Sequence, residues 1–331
     1  MDLYPVKFAP IPHARIWGGE SLKTSFSVQE KGPIGEYWVL SAHPSSPSVV
    51  THGLLKGKSL LSLTEEYPKE FLGSSPQPRF PLLIKFLDVE DDLSIQVHPD
   101  NDYALREEKD YGKTEAWYFL NAKKGAKIIF GDTFQNREEY LKAVEEGRIR
   151  DYLKYKDVKA GDVVYVPAGT LHALLAGTQL IEVQQTSDVT YRVYDWDRVD
   201  QGGKKRELHV EKAAAVMTYG KESGHEDADA DLIRRVIRDE EGFLHEHLVT
   251  SPYFVMEKIT LRGKKVRLSG GKEGNPDILI ISSGEGRLSW TEKEAPISLH
   301  FGDTLLIPSS ISQEGYDLET SGTLEILRTF Y

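Results

Sequence analysis

Polar and apolar residues alternate along most of the chain in short runs separated by glycine, proline and asparagine, which predicts strands joined by turns. The run over residues 93–98 is the clearest example. Because side chains on a strand alternate between its two faces, Ser94, Gln96 and His98 are expected to point the same way. Pro99 then ends the strand. A glutamine and a histidine on one face of a strand indicate that something binds there.

Two further runs carry polar residues that fit the same site. Residues 112–120 predict a strand on which Lys113 and Glu115 share one face. Residues 161–172 predict an apolar strand and a Pro-Ala-Gly turn, with a histidine just beyond it. The predicted ligand set is Gln96, His98, Glu115 and His172. Two imidazoles, a carboxylate and an amide oxygen suit a borderline divalent ion, zinc first, with one position left open.

An apolar run over residues 80–88 predicts a strand that contains a single basic residue, Lys85. A lysine in such a run either extends its head to solvent or lines a pocket for an anion. Shorter runs predict strands at 36–43, 48–52 and 178–187. Residues 15–19 predict a loop whose aromatic residue, Trp17, either packs in the core or walls a sugar pocket.

Helical periodicity is confined to a few short segments. Asn136 and Glu139 form a capping box at the start of one of them, and Gly147 ends it. The predicted helical segments cover 58–72 with a break near Pro68, 136–147, 150–155 and 207–219.

The second half of the chain repeats the first in outline. Residues 300–308 match residues 159–167, since each stretch contains Gly-Asp, four mostly apolar residues and then a proline. In this second copy the acidic ligand aligns with Asp277, whereas Gln313 stands in the place of His172. The second copy is therefore expected to lack the metal ligands.

These patterns predict two β-domains. The first covers residues 1–220 and contains the metal site and a helical insert at about 134–157. Residues 221–231 are rich in acidic and small residues and predict a surface loop or boundary. The second domain covers residues 232–331 and is expected to hold no metal.

Composition narrows the class of protein. The chain has 331 residues, enough for a large core, and its net charge of −11 argues against nucleic acid or an anionic membrane as a partner. A small anionic substrate remains compatible, because local basic residues override the overall sign. With no cysteine, a metal must be held by nitrogen and oxygen ligands. No secretion-like segment or long apolar run is present, so we expect a cytoplasmic protein without a membrane span.

The pattern of a glycine, five residues, Pro-x-Gly, two residues and a histidine is the second motif of the cupin barrel, and residues 161–172 match it fully. Together with Ser94-x-Gln96-x-His98-Pro99 and Lys113-x-Glu115, it makes the chain resemble class I mannose-6-phosphate isomerase in its short bacterial form. The resemblance covers nearly the whole chain. It implies a mainly β fold of two jelly-roll cupin barrels with a short helical insert.

The resemblance also assigns roles to residues. It implies one zinc ion per chain, held by Gln96, His98, Glu115 and His172, and a catalytic arginine about twenty residues further on, which is Arg192. The residues beside the ligands in that family correspond to Ser94, Lys113 and Lys85. Two features depart from the longer members of the family, since the helical insert is short and Thr114 stands where those members have a proline.

The reaction that this resemblance implies interconverts mannose 6-phosphate and fructose 6-phosphate through an enediol. Zinc and Arg192 would stabilise charge that develops on the sugar oxygens. Lys113, a metal-bound water or Glu36 would transfer the proton. The expected substrate contacts are Ser94, Lys85 and Trp17, with Lys113 as a further donor to the phosphate or hydroxyls.

Two other functions compete with this interpretation. A cupin dioxygenase would use Fe(II), but such sites favour several histidines, and Gln96 and the anion-binding lysines do not fit that chemistry. A non-catalytic sugar-phosphate-binding protein is the second alternative, since the second copy indicates that the fold persists here without a metal. The complete ligand set and Arg192 favour an enzyme in the first domain.

Overall fold

The computed structural model describes residues 3–75, 77–199, 203–220, 223–224 and 230–331 and is built mainly of β-strands, as predicted. The strands up to residue 194 are β1 (Val6–Lys7), β2 (Ile11–Gly19), β3 (Ile34–Leu40), β4 (Leu82–Val89), β5 (Ile95–Val97), β6 (Glu115–Ala122), β7 (Lys127–Asp132), β8 (Leu153–Asp157), β9 (Val163–Val166), β10 (His172–Leu174), β11 (Thr178–Gln185) and β12 (Tyr191–Tyr194).

The later strands are β13 (Arg235–Glu240), β14 (Phe243–Thr250), β15 (Val255–Arg262), β16 (Lys265–Leu268), β17 (Asp277–Ser289), β18 (Ile297–His300), β19 (Thr304–Ile307), β20 (Tyr316–Glu319) and β21 (Thr323–Phe330). The helices are α1 (Leu60–Glu66), α2 (Pro68–Phe71), α3 (Asn101–Glu107), α4 (Arg137–Glu145), α5 (Val210–Val216) and α6 (Ser309–Glu314), with a 3₁₀ turn at Ile149–Tyr152.

The first half of the chain forms two antiparallel sheets. One has the order β2-β3-β4-β11-β6-β9, and the other has the order β12-β5-β10-β7-β8. The second half repeats this arrangement as β13-β14-β15-β21-β17-β19, with β16, β20 and β18 beside the far end of β17. We call these two halves the first and second barrels. β1 comes from the start of the chain but pairs with β19 in the second barrel.

The largest apolar cluster spans both barrels. It includes Tyr37 and Phe86 from the first barrel and Met256 and Leu327 from the second, all essentially buried. Burial of apolar surface is the main favourable contribution to folding, so this shared cluster holds the barrels against each other.

Several local predictions are confirmed. The segment 58–72 is helical with a break at Pro68, which begins α2. The Asn136 side chain accepts a hydrogen bond from the Glu139 amide at the start of α4, and Gly147 follows the helix with a positive φ of 67°. The predicted strands over 80–88 and 178–187 are β4 and β11.

Four local predictions are wrong in detail. Residues 15–19 lie in β2 and not in a loop, and residues 48–52 form only isolated bridges to Phe8 and Ser59. The second helical piece ends at Tyr152, because the alternating residues that follow form β8 and pair with β7. The helix predicted over 207–219 is shorter, covering α5 only.

The predicted replacement of His172 by Gln313 is also wrong. Helix α6 occupies the stretch after the repeated proline, and Gln313 is an exposed residue within it. The strand that corresponds to β10 therefore begins later, at Tyr316. Sequence spacing missed this because the inserted helix lengthens the connection.

The predicted boundary at 221–231 lies largely outside the described residues. No helix within the described ranges is long and apolar enough to cross a membrane.

Candidate metal centre and substrate pocket

Three short strands bring the predicted ligands together inside the first barrel. His172 begins β10 and lies opposite Gln96 of β5, while His98 follows β5 and Glu115 begins β6. His98, Glu115 and His172 are buried, and their ligand atoms lie within 4.8 Å of one another. Gln96 lies beside them, with its Nε2 3.5 Å from Nε2 of His172. All four sequence-predicted ligands therefore meet at one point.

Hydrogen bonds fix how the two imidazoles face this point. Nδ1 of His98 lies 2.9 Å from the Val189 carbonyl, and Nδ1 of His172 lies 2.8 Å from the Thr170 carbonyl. A carbonyl only accepts, so each Nδ1 carries the proton and each Nε2 presents a lone pair. Burial lowers the pKa of both imidazoles, that of His172 to about 4, so both are neutral.

The donor set fits a divalent cation. His98 Nε2 is buried without a hydrogen-bond partner and lies 3.6 Å from Glu115 Oε2, while His172 Nε2 lies 3.5 Å from Glu115 Oε1. Two lone pairs that face a buried carboxylate repel it unless a cation lies between them. The hydrogen bond on each Nδ1 is the support that metal-bound histidines typically have. These residues therefore form a candidate metal centre.

A cavity of about 380 Å³ opens beside this centre. Besides Gln96, the predicted site residues that line it are Trp17, Lys85, Ser94, Lys113 and Arg192. Trp17 is only 4% exposed, so it both packs in the core and forms part of the cavity wall. Sequence reasoning thus placed every one of its proposed substrate contacts at one cavity.

Lys85 does not extend to solvent. It is 3% exposed, and its Nζ lies 3.0 Å from Glu182 Oε1 and 4.0 Å from Glu36 Oε2. Burial alone would lower the pKa of Lys85, but the two carboxylates outweigh burial and raise it. Lys85 is therefore a fixed cation of the cavity wall.

Glu36 is held ionised. Burial opposes its charge, but Lys85, Arg15 and a 2.7 Å hydrogen bond from Trp38 Nε1 lower its pKa to about 2. A carboxylate with so low a pKa is a weak base, so the geometry does not favour Glu36 as the proton acceptor.

Glu115 behaves in the opposite way. Burial and the nearby charge of Glu182 raise its pKa to about 7, while Lys113 Nζ, 3.0 Å from Glu115 Oε2, opposes this rise. The indole Nε1 of Trp117 lies between the two carboxylates, 3.1 Å from Glu115 and 3.2 Å from Glu182. Burial thus makes an ionised Glu115 unfavourable without a further cation, which a metal at this position would supply.

Arg192 lies on β12, opposite Gln96 of β5. Its Nη1 donates to the Glu207 carbonyl at 2.9 Å, while its buried Nε has no hydrogen-bond partner. Burial and then the charge of Arg206 lower its pKa, although a guanidinium stays charged. Arg192 thus lines the cavity and also carries a buried donor without a hydrogen-bond partner.

Sequence reasoning missed several polar residues of the cavity, chiefly Glu182, Asp188 and Arg206. Glu182 carries a signal that was available, since it is the one charged residue within the apolar strand β11, as Lys85 is near the middle of β4. The pairing of Glu182 with Lys85 depends on the register of β11 with β4, which no local pattern reveals.

Comparison with known proteins agrees with this geometry. Residues 7–127 match the family model described as phosphomannose isomerase type I, catalytic domain. The chain is 40% identical to mannose-6-phosphate isomerase of Streptococcus mutans over 95% of this chain and 94% of that one, and 37% identical to mannose-6-phosphate isomerase ManA of Bacillus subtilis over 96% and 98%.

A solved structure extends the likeness to the fold. The crystal structure of mannose 6-phosphate isomerase from Bacillus subtilis superposes with a TM-score of 0.89 at 35% identity and covers 99% of both chains. The predicted mainly β cupin fold and the predicted family resemblance are both confirmed. With relatives of this identity along nearly its whole length, the chain belongs to the type I mannose-6-phosphate isomerase family.

Proposed function

We propose that this protein is a metal-dependent aldose–ketose isomerase that interconverts mannose 6-phosphate and fructose 6-phosphate through an enediol. The observation that supports this most is the convergence of two neutral imidazoles and a buried carboxylate, with His98 Nε2 unpartnered, beside a cavity rich in cations. Relatives at 37–40% identity carry the name of this activity.

We propose zinc as the metal, one ion per chain, held by His98, Glu115, His172 and the amide of Gln96. Nitrogen and oxygen donors with two imidazoles suit zinc. When bound there, the ion supplies a Lewis acid that stabilises negative charge on the sugar oxygens.

Arg192 is the proposed catalytic cation. Its guanidinium keeps its charge at all working pH values and is fixed by the Glu207 carbonyl, so it stabilises an enediolate without having to reorganise. Lys113 is the proposed second catalytic residue. It lines the cavity beside Glu115, and its side-chain ammonium group is able to transfer a proton.

The remaining roles concern substrate binding. Lys85 and Ser94 are proposed to donate hydrogen bonds to the sugar, and Trp17 to cover one side of it. The active site is assigned to a first domain of residues 1–220 and the metal-free copy to residues 232–331, as proposed from the sequence. We also propose a cytoplasmic location, which cell fractionation would check.

The experiment is a coupled isomerase assay on mannose 6-phosphate, before chelation, after chelation and after adding zinc back. We expect chelation to abolish turnover and zinc to restore it. Tight sugar-phosphate binding by a zinc-loaded protein that does not isomerise it would instead support a binding protein. Oxygen uptake that requires Fe(II) would support a dioxygenase.

A further inference from the structure

The cations around the cavity fall into two groups. In the first group each cation is matched by a buried or half-buried carboxylate, with a nitrogen–oxygen distance of 3.0 Å in every case. The pairs are Arg15 with Glu36, Lys85 with Glu182, and Lys113 with Glu115. Cations that are already neutralised in this way attract a further dianion only weakly.

The second group contains Arg192, Arg198 and Arg206 and is not neutralised. Arg198 Nη2 and Arg206 Nε both donate to the one carboxylate of Asp195, at 2.7 Å each. Within the described residues no carboxylate lies within 4.0 Å of the Arg192 guanidinium. Arg198 also lies 3.6 Å from Asp91, so the three guanidinium groups face two carboxylates and keep an excess of positive charge that favours an anion.

Arg206 retains donors that face no protein acceptor. A guanidinium has five N–H groups, and Asp195 takes up one edge of Arg206 through Nε and Nη2. Its Nη1 makes no hydrogen bond to any residue in the described ranges, and the side chain, 31% exposed, lines the cavity. Arg206 therefore keeps donors for a ligand in the cavity.

The turn that follows β12 is fixed by several hydrogen bonds. Trp196 and Asp197 both have a φ of 56°, a conformation that costs free energy in residues other than glycine. Tyr194 and Lys205 bond the Asp197 carboxylate at 2.9 and 2.8 Å. Trp196 Nε1 donates to the Leu93 carbonyl at 2.7 Å, which ties the turn to the segment before β5 that contains the cavity residue Ser94.

We propose that Arg206, held by Asp195, forms the subsite for the phosphate group of the substrate. Arginine binds phosphate through two parallel N–H donors, and a fixed guanidinium loses little entropy on doing so. Arg206 then determines specificity for phosphorylated sugars, while Arg192 and the first group of cations serve the reacting end. This inference rests on the proposed function, since it takes a sugar phosphate as the substrate.

The test is the variant Arg206→Gln, assayed on mannose 6-phosphate and on mannose. Loss of a charge-assisted contact should raise KM for mannose 6-phosphate by about 10- to 100-fold, with kcat little changed. The efficiency kcat/KM on mannose should stay at its wild-type value, because mannose has no phosphate. Inhibition of the isomerase by inorganic phosphate should weaken by a similar factor.

Lys123→Gln is the matched control. Lys123 carries the same charge in the same barrel, but it is exposed and pairs with the exposed Glu90 outside the cavity. If both variants raise KM equally, general charge and not a subsite is responsible, and the proposal fails. It also fails if Arg206→Gln leaves KM and phosphate inhibition unchanged in a folded, metal-loaded protein. An inactive wild type would overturn the proposed function instead, and calorimetry with inorganic phosphate would then judge the subsite alone.

Discussion

The two barrels have the same strand pairing but carry different polar residues at equivalent positions. Glu115 of β6 pairs with the residue before the repeated proline, and Asp277 of β17 does the same in the second barrel. His172 opens β10 and Tyr316 opens β20 at corresponding places in their sheets. The predicted alignment of Asp277 with the acidic ligand is thereby confirmed.

The charges on the neighbouring strands are inverted between the barrels. Lys85 pairs with Glu182 across β4 and β11, whereas Glu257 pairs with Arg328 across the corresponding strands β15 and β21. Arg328 binds Glu257 at 2.6–2.8 Å and its Nη1 lies 3.7 Å from Asp277. The positive charge that a metal would bring to the first barrel is supplied in the second barrel by a side chain.

In the second barrel the buried polar side chains also bond to one another. The Tyr316 hydroxyl donates to Asp277 at 2.9 Å, and His245 Nε2 lies 2.9 Å from Glu257. In the first barrel His98 Nε2 has no hydrogen-bond partner, and the Glu115 carboxylate faces the Nε2 atoms of both imidazoles. The same fold therefore supports either a ligand site or a core whose polar groups pair with one another. Which of the two forms depends on whether the buried carboxylates face a ligand position or a side-chain cation.

The largest expected effect on stability comes from the second barrel. Replacing Arg328 by methionine leaves Glu257 and Asp277 without their cation, which should lower the free energy of unfolding by about 3–5 kcal/mol. Chemical denaturation would measure this. Arg267→Met, which removes an exposed arginine of the same barrel, should cost at most about 1 kcal/mol. Loss of metal from the folded Arg328→Met protein would show that the second barrel also affects the metal centre, contrary to this comparison.

In the first barrel we expect the opposite result, a loss of activity without a loss of stability or metal. Replacing Arg192 by alanine should lower kcat by about 10²- to 10³-fold, because a fixed cation beside developing charge is lost, while bound zinc remains. Steady-state kinetics and metal analysis on the same sample would test this. Near-normal turnover would remove Arg192 from the mechanism, and a large loss of stability would show that it serves the core.

A smaller effect concerns the stability of the protein at acid pH. Burial opposes the charge of Glu257, but His245 and Arg328 outweigh burial and hold its pKa below the usual 4.5. A carboxyl with a depressed pKa contributes stability above pH 4.5 that is lost as the pH falls through its folded pKa. Each tenfold change in its acid constant is worth about 1.4 kcal/mol.

We therefore expect Glu257→Gln to be less stable than wild type at pH 7 and to converge with it as the pH falls below 4.5. Denaturation curves across this range would show it. The exposed Glu241→Gln should follow the wild-type curve throughout. Parallel curves for wild type and Glu257→Gln down to acid pH would contradict an ionic role for Glu257.

The metal centre could be predicted from the sequence because its signals are local. Alternation within 93–98 and the spacing from Gly161 to His172 each place ligands within one strand or one turn. Glu182 and Arg206 could not be placed in the same way. Their roles depend on the partner strand across the sheet and on a turn held by Asp195, which are features of tertiary structure.

The pairing of β1 with β19 also has a consequence for how the protein is made. Val6 lies opposite Leu306, and Lys7 binds Asp303 at 2.7 Å, so an early strand completes the edge of a sheet whose other strands are synthesised much later. At about 5–20 residues per second, the intervening 300 residues take about 15–60 s to synthesise. During that interval β1 has no partner strand, so the barrel with the candidate metal centre is synthesised before the edge of its neighbour can be completed.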